Sequence, residues 1–171
     1  MFAAGLRDAL DFGLVHAATR GAGKIPGADE LAGVAAWLPP GAFPLSATRR
    51  LRALPGMAGV IVAAPRSTRR LLSYTAGIER SHPARPYWYL EVVGVDPEAR
   101  GLGIGTRLLE PVLADEAGQP CYLETMTERN VAWYRSLGFE VKEAEVRFVP
   151  GGPSSWTMLR RARSQEEERT I

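Results

Sequence analysis

Val93-Gly94-Val95-Asp96-Pro97-Glu98-Ala99-Arg100-Gly101-Leu102-Gly103-Ile104-Gly105 joins a strand to a helix through a glycine-rich turn. Tyr87 to Val95 is rich in aromatic and β-branched residues and Pro97 stops the strand. Ile104, Leu108, Leu109, Val112 and Leu113 then follow helical spacing. Glycines at 101, 103 and 105 remove side chains that would hold a ligand off the backbone. The first N–H groups of the following helix lack intrahelical partners, and with the helix dipole they favour an anion such as a pyrophosphate. A dinucleotide fingerprint needs G-x-G-x-x-G, and Thr106 occupies its third glycine position. At this level the glycines also fit a simple tight turn with no ligand.

A second block follows. Pro120-Cys121-Tyr122-Leu123-Glu124-Thr125 reads as a short strand, and Asn130 to Phe139 reads as a helix capped by Asn130 and stopped by Gly138. Upstream, Phe2, Leu6, Leu10 and Leu14 predict a helix over residues 2–19, broken by Gly21 to Gly27. Leu31 to Leu38 reads as a strand ending at Pro39-Pro40. Leu45 to Arg80 reads as mostly helical, with breaks near Pro55-Gly56 and Pro65. Val141 to Val149 and Ser155 to Leu159 are expected as closing antiparallel strands around the Pro150-Gly151-Gly152-Pro153 turn. The pattern is α/β, a mixed central sheet with helices on both faces.

Arg100-Gly101-Leu102-Gly103-Ile104-Gly105, preceded by Val95-Asp96-Pro97, resembles the [Arg/Gln]-x-x-Gly-x-[Gly/Ala] signature of the general-control-related N-acetyltransferase (GNAT) superfamily. The second block, with Leu123-Glu124-Thr125, Arg129-Asn130, Tyr134 and Leu137-Gly138-Phe139, is similar to its puromycin N-acetyltransferase-like members, as are Pro111 and Trp156-Thr157-Met158. The similarity runs from about Gly33 to Arg160, and two blocks in it are specific. It implies the GNAT fold, here without the usual first strand and helix, because relatives carry both before the helix matched to residues 2–19. It also implies acetyl-CoA as co-substrate. Residues Arg100, Gly101, Leu102, Gly103, Ile104, Gly105 and Thr106 would hold its pyrophosphate, the backbone near Val93 and Val95 its pantetheine amides, and Asn130 the pantetheine region. Tyr134 inherits the place beside the sulfur, as the acid that protonates the leaving thiolate.

For the base, alternation along the strand puts Glu91 on one face with Tyr87, Tyr89, Val93 and Val95, aimed at the substrate cleft. Surface or salt-bridge duty fits Glu91 equally, and Glu124 at the end of the next strand is a second candidate. The implied reaction is acetyl transfer to the primary amine of a small molecule. A protein lysine or N-terminal acetyltransferase and a non-catalytic acyl-CoA-binding regulator stay open as alternatives.

The 171 residues, 46% of them hydrophobic, suffice for one domain, expected over 1–163, with the mixed-charge tail 164–171 disordered. A net charge of +2 gives no nucleic-acid footprint. The arginines at 49, 50, 52, 66, 69 and 70 read as a solvated face, with attraction of the acidic ends of CoA as the functional option. Cys121, the sole cysteine, reads as a buried small apolar residue, and no Cys/His cluster for a metal exists in the sequence. His16 is placed in the first helix and His82 in a loop, each with a surface or packing role. No apolar run is long enough for a membrane span and no signal-type start is present, so a cytoplasmic protein without membrane contact is expected. An uncovered sheet edge and helix face predict a homodimer.

Overall fold

The computed structural model describes residues 13–20, 31–43, 65–114 and 118–162. Six strands form one sheet: β1 (Leu14–Thr19), β2 (Leu31–Leu38), β3 (Trp88–Val95), β4 (Cys121–Thr125), β5 (Glu140–Val146) and β6 (Ser155–Arg160). Their order across the sheet is β1-β2-β3-β4-β6-β5. All neighbouring pairs are antiparallel except β3 and β4, which run parallel. Three helices accompany them: α1 (Pro65–Ser81), α2 (Ile104–Leu113) and α3 (Glu128–Ser136).

The beginning differs from the sequence expectation. Leu14 to Thr19, predicted as the end of a helix, is strand β1, paired with β2 from Leu14↔Trp37 to Thr19↔Leu31. Val15-His16-Ala17-Ala18-Thr19 carries one β-branched residue at each end, and six residues of β2 pair with β1. Local helical spacing of four leucine-like positions yields to that ladder. The rest of the proposed helix, the stretch 45–64 and the tail 164–171 lie outside the described residues. The later helices and both closing strands fall where the sequence places them, within a few residues.

One face of the sheet packs on α2 and α3. Leu90 of β3, Cys121 and Leu123 of β4 and Met158 of β6 meet Leu108, Leu109 and Val112 of α2 and Val131 and Tyr134 of α3. Each fully buried Leu or Val there contributes about 1.5–3 kcal/mol relative to exposure. Cys121 is buried in this layer, as expected of a small apolar residue. The other face carries Ala36, Leu38, Val92 and Tyr89. The C-terminal end of α1 meets the far side of the sheet: Gly77 packs on Phe148 and Lys142 Nζ donates to the Ser81 carbonyl at 2.6 Å.

Two irregularities shape the middle of the sheet. On the β2 side, Ala36 pairs with Val92 and Trp37 with Leu90, which leaves Glu91 as an extra residue, a β-bulge. On the β4 side, pairing stops after Trp88↔Cys121 and Tyr89↔Tyr122. The remainder of β3 runs on to Val95 while β4 stays bonded to β6 along all five of its residues. The two parallel strands therefore splay, and β3 keeps an open edge from Leu90 onward.

Candidate active site

The turn after β3 is built from short-range bonds. Asp96 accepts the Glu98 N–H at 2.8 Å and caps a single 3-10 turn, Pro97–Ala99. Arg20 bridges Asp96 at 2.7 Å and Glu98 at 3.2 Å. The Arg100 guanidinium donates to the Val95 carbonyl at 3.2 Å and Arg107 to the Leu102 carbonyl at 3.3 Å, so two arginines brace the turn from opposite ends. Arg100, Gly101, Leu102, Gly103 and Thr106 are exposed; Ile104 turns its side chain into the core.

The three glycines do different jobs. Gly101 and Gly103 hold φ of 79° and 74°, left-handed values that glycine adopts without strain, and a Cβ at either would meet nothing within 4 Å. Their outer side is clear for a ligand. Gly103 is the N-cap of α2 and has no side chain to satisfy the first helical N–H groups, which are left for an anion. Gly105 has a packing duty as well: a Cβ there would stand 3.0 Å from Cζ2 of Trp133, so this glycine admits the indole of α3.

The bulge at Glu91 corrects the strand parity. Val93 and Val95 pack on the α2 and α3 side with Trp88 and Leu90, whereas Tyr89 joins Val92 on the opposite face. Alternation is broken at Glu91 itself, so the face shared by Tyr89, Glu91, Val93 and Val95 in an ideal strand does not exist. The open edge of β3 nonetheless places the backbone of Val93 and Val95 beside the splay, continuous with the turn.

In α3 the N-cap is Thr127, and Asn130 sits one turn inside the helix rather than capping it. Its exposed side chain donates from Nδ2 to Thr125 Oγ1 at 3.3 Å, which ties the end of β4 to the helix start. The backbone N–H of Gly138 and of Phe139 close the helix on the Arg135 and Tyr134 carbonyls, as the glycine stop predicts. Tyr134 is buried, with its ring against Trp133 and Phe139. Burial pushes its phenol up to about 12, so at neutral pH it carries its proton and is a donor.

A cluster that no single segment announces lies on the face opposite α2 and α3. Glu124 of β4 receives the Tyr89 hydroxyl on Oε2 at 2.9 Å, and His82 Nε2 stands 2.9 Å from its Oε1. Nδ1 of His82 meets the Tyr87 hydroxyl. Phe43 stacks on the His82 ring at 3.9 Å and Tyr122 lies 4.5 Å away. His82 lies in the loop after α1, where the sequence places it, and its side chain is 3% exposed, so of the two roles expected for it the packing one applies. Burial first, and then the Glu124 charge, raises the phenols of Tyr87, Tyr89 and Tyr122 well above the ordinary tyrosine value. The sequence signal was the density of aromatics at 87, 89 and 122 with a carboxylate two residues after the last of them; only the parallel pairing of β3 and β4 joins them.

Among the other residues singled out from sequence, Arg69 and Arg70 are exposed, which agrees with a solvated face. Residues 49, 50 and 52 lie outside the described part. Among the described residues no group of three or more His, Cys, Asp or Glu side chains could hold a metal, and no helix is long and apolar enough to cross a membrane.

A splayed parallel strand pair, a glycine turn into a helix and a mixed six-stranded sheet define the fold of the acyl-CoA-dependent GNAT acetyltransferases. Residues 59–141 match the family model described as an acetyltransferase (GNAT) domain, and the mixed six-stranded sheet with its helices is a GNAT fold. Over 99 residues, 56% of its length, the chain is 38% identical to the N-alpha-acetyltransferase RimI of Mycobacterium tuberculosis, of which the match covers 62%. The crystal structure of histone acetyltransferase HPA2 and related acetyltransferase from Corynebacterium glutamicum aligns with a TM-score of 0.50 and 26% identity, covering 80% of this chain and 61% of that one. The NatC complex bound to Gag peptide and CoA shares the fold alone, with a TM-score of 0.51 and 14% identity over 86% of this chain and 70% of that one. The chain thus spans less than two thirds of the length of RimI and of the Corynebacterium protein.

Proposed function

We propose that the protein transfers an acetyl group from acetyl-CoA to the primary amine of a small molecule. The observation that carries this reading is the splay itself: β3 and β4 stop pairing between the glycine turn on one side and Glu124 on the other. Left-handed Gly101 and Gly103 keep the outer face of the turn clear, and the free edge of β3 can pair with amides as a neighbouring strand would.

The thioester of acetyl-CoA supplies the electrophilic carbonyl. An amine arrives at neutral pH as an ammonium and must lose a proton before it attacks. Glu124, 13% exposed and acceptor-only when ionised, takes that proton while Tyr89 holds its Oε2. Backbone N–H groups of the open β3 edge near Val93 and Val95 face the negative charge that grows on the carbonyl oxygen. As the C–S bond breaks, charge moves to sulfur and Tyr134 donates a hydrogen bond to it. A phenol at about 12 loses its proton to a thiolate of ordinary thiol pKa, about 8.5, only uphill. Tyr134 therefore acts chiefly as a hydrogen-bond donor to the leaving sulfur, with solvent completing the protonation.

A second reading, acetylation of a protein N-terminus, is favoured by the identity shared with RimI. The features similar to puromycin N-acetyltransferase-like members favour the small amine. Acetyl-CoA consumption measured against two panels, small primary amines and peptides with free or blocked N-termini, decides between them. Turnover confined to small amines supports the first reading and turnover confined to free peptide N-termini the second. Acetyl-CoA binding without turnover in either panel rejects both in favour of a non-catalytic acyl-CoA binder.

A further inference from the structure

Two β-bulges on β5 bracket one carboxylate. Val141 pairs with Met158 and Glu143 with Thr157, so Lys142 is an extra residue. From Glu143↔Thr157 to Val146↔Ser155 a second residue is extra. Val141 and Met158 pack on the α2 and α3 side of the sheet. In an ideal strand Glu143 would turn the same way, two residues after Val141. The first bulge breaks that alternation, and Glu143 pairs instead with Thr157, on the face of Glu124. Glu145, inside the second bulge, holds φ of 54°, a left-handed value uncommon outside glycine, asparagine and aspartate. Glu124↔Thr157↔Glu143 is thus a row across three adjacent strands, two carboxylates with a hydroxyl between them.

Thr157 is 0% exposed, and its Oγ1 has no hydrogen-bond partner among the described residues. Ser155, two residues before it on β6, is in the same state. Buried hydroxyls without partners are unfavourable, and a donor supplied from outside the chain would satisfy them. Glu143 is half-buried and, among the described residues, makes no ion pair. Its neighbour Lys142 is turned to α1, where Nζ donates to the Ser81 carbonyl at 2.6 Å. The Tyr122 phenol, raised by burial first and then by Glu124, is raised by Glu143 as well, which agrees with all three groups facing one side of the sheet. Neighbouring strands lie about 4.7–4.9 Å apart, so the Cα atoms of Glu124 and Glu143 are about 10 Å apart. Among the described residues no third His, Cys, Asp or Glu joins the pair as a metal-ligand group, which favours an organic cation. Two ammonium groups a few methylenes apart span such a row.

We propose that the acceptor is a short diamine: one amine meets Glu124 at the splay, and the other, as an ammonium, is held by Glu143 with the Thr157 hydroxyl between them. This rests on the small-amine reading and on Glu124 as the base, and it names the class of amine. An ammonium has three N–H donors and no acceptor, which suits a carboxylate and a hydroxyl oxygen side by side. A monoamine of the same length leaves both without a partner, and a site built to hydrogen-bond a substrate group discriminates against the analogue that lacks it.

Diaminobutane and butylamine, equal in length and differing in one ammonium, are the probes. kcat/KM for diaminobutane should exceed that for butylamine by about ten- to a hundredfold, the worth of a hydrogen bond to a charged group. Glu143→Gln should bring that ratio close to one. Thr157→Val should lower it severalfold with no fall in melting temperature, since the hydroxyl it removes bonds nothing in the described fold. Glu145→Gln removes the same charge from an exposed position on the same strand and should keep the wild-type ratio. Equal use of the two amines by the wild type, or the same fall of the ratio in Glu145→Gln as in Glu143→Gln, would overturn the proposal. Calorimetry with CoA present repeats the comparison without turnover: diaminobutane should bind at least tenfold more tightly than butylamine, and Glu143→Gln should abolish the difference. If the wild type acetylates neither amine, the small-amine reading fails, and the calorimetric difference still decides the site. Its presence upholds the row as a dication site and its absence rejects it.

Discussion

The glycine turn and the His82–Glu124 cluster flank the same splay, and they are built in opposite ways. The turn is contiguous from Asp96 to Gly105, exposed from Arg100 to Gly103, and braced by bonds that span five residues or fewer apart from those of Arg20. The cluster draws Phe43, His82, Tyr89 and Glu124 from four separate places in the chain, and is buried. In the proposed function the turn binds through backbone groups that any sequence with the right φ values can offer. The cluster works through side-chain atoms that must be the right elements at the right distance. Substitutions should therefore separate binding from chemistry, with the turn controlling the first and the cluster the second.

The largest effect should come from the cluster. Glu124→Gln keeps the shape and removes the base, and kcat should fall by about 10²–10⁴ while acetyl-CoA affinity holds. Glu91→Gln, at the bulge, is the control: an equal fall there with Glu124→Gln unaffected would move the base to Glu91 and undo the contrast. Tyr134→Phe comes next. Because its phenol acts as a donor rather than a full acid, the expected loss is about tenfold to a thousandfold in kcat, and unchanged turnover would remove Tyr134 from the chemistry.

Within the turn, two glycines separate access from packing. Valine at Gly103 would confound the two, since φ of 74° strains a β-branched residue whatever the ligand does. Asparagine tolerates left-handed values, so Gly103→Asn should keep the melting temperature within a few degrees and weaken acetyl-CoA binding at least tenfold. Gly105→Ala pushes a Cβ to 3.0 Å from Trp133, and its main effect should be a stability loss of about 1 kcal/mol, read by denaturant unfolding. Opposite outcomes at the two positions would show that the ligand approaches over Gly105 instead.

The smallest effect at neutral pH, and a growing one above it, concerns the tyrosines. All five have raised phenol pKa values, through burial first and, in Tyr74, Tyr87, Tyr89 and Tyr122, through the Glu124 charge as well. A folded state that holds protons which the unfolded chain releases near pH 10 is fully favoured below that value and loses stability as pH rises through the raised ones. Tyrosinate absorbance should therefore stay flat past pH 10 and then rise together with loss of the folded circular-dichroism signal. A gradual titration of folded protein at the ordinary value would contradict the buried cluster.

The same contrast explains what the sequence could say. The turn was legible because its parts are adjacent: strand, glycines and helix stripe sit in one window, and the helix and strand that follow carry their own cap and stop signals. The packing duty of Gly105 was not legible because its partner, Trp133, is supplied by another helix. The strand parity at Glu91 was misjudged because the bulge is set by the pairing of Trp37 and Ala36 on β2, and alternation alone cannot show an extra residue. Leu14 to Thr19 read as helix because periodicity was counted without the neighbouring strand that claims it. The surroundings of His82 could not be seen, since they depend on the parallel pairing that sets Tyr89 beside Tyr122 and brings Glu124 within reach.

The central claim is that the glycine turn and the open edge of β3 hold acetyl-CoA. Titrating acetyl-CoA into isotope-labelled protein and following the backbone amide signals tests it without altering a residue. The largest changes should fall on Gly101 to Thr106 and on Val93 to Val95, saturating together with a single dissociation constant. Amides of β5 and β6 should move least. Saturable changes centred elsewhere, or none at all at millimolar acetyl-CoA, would contradict the account.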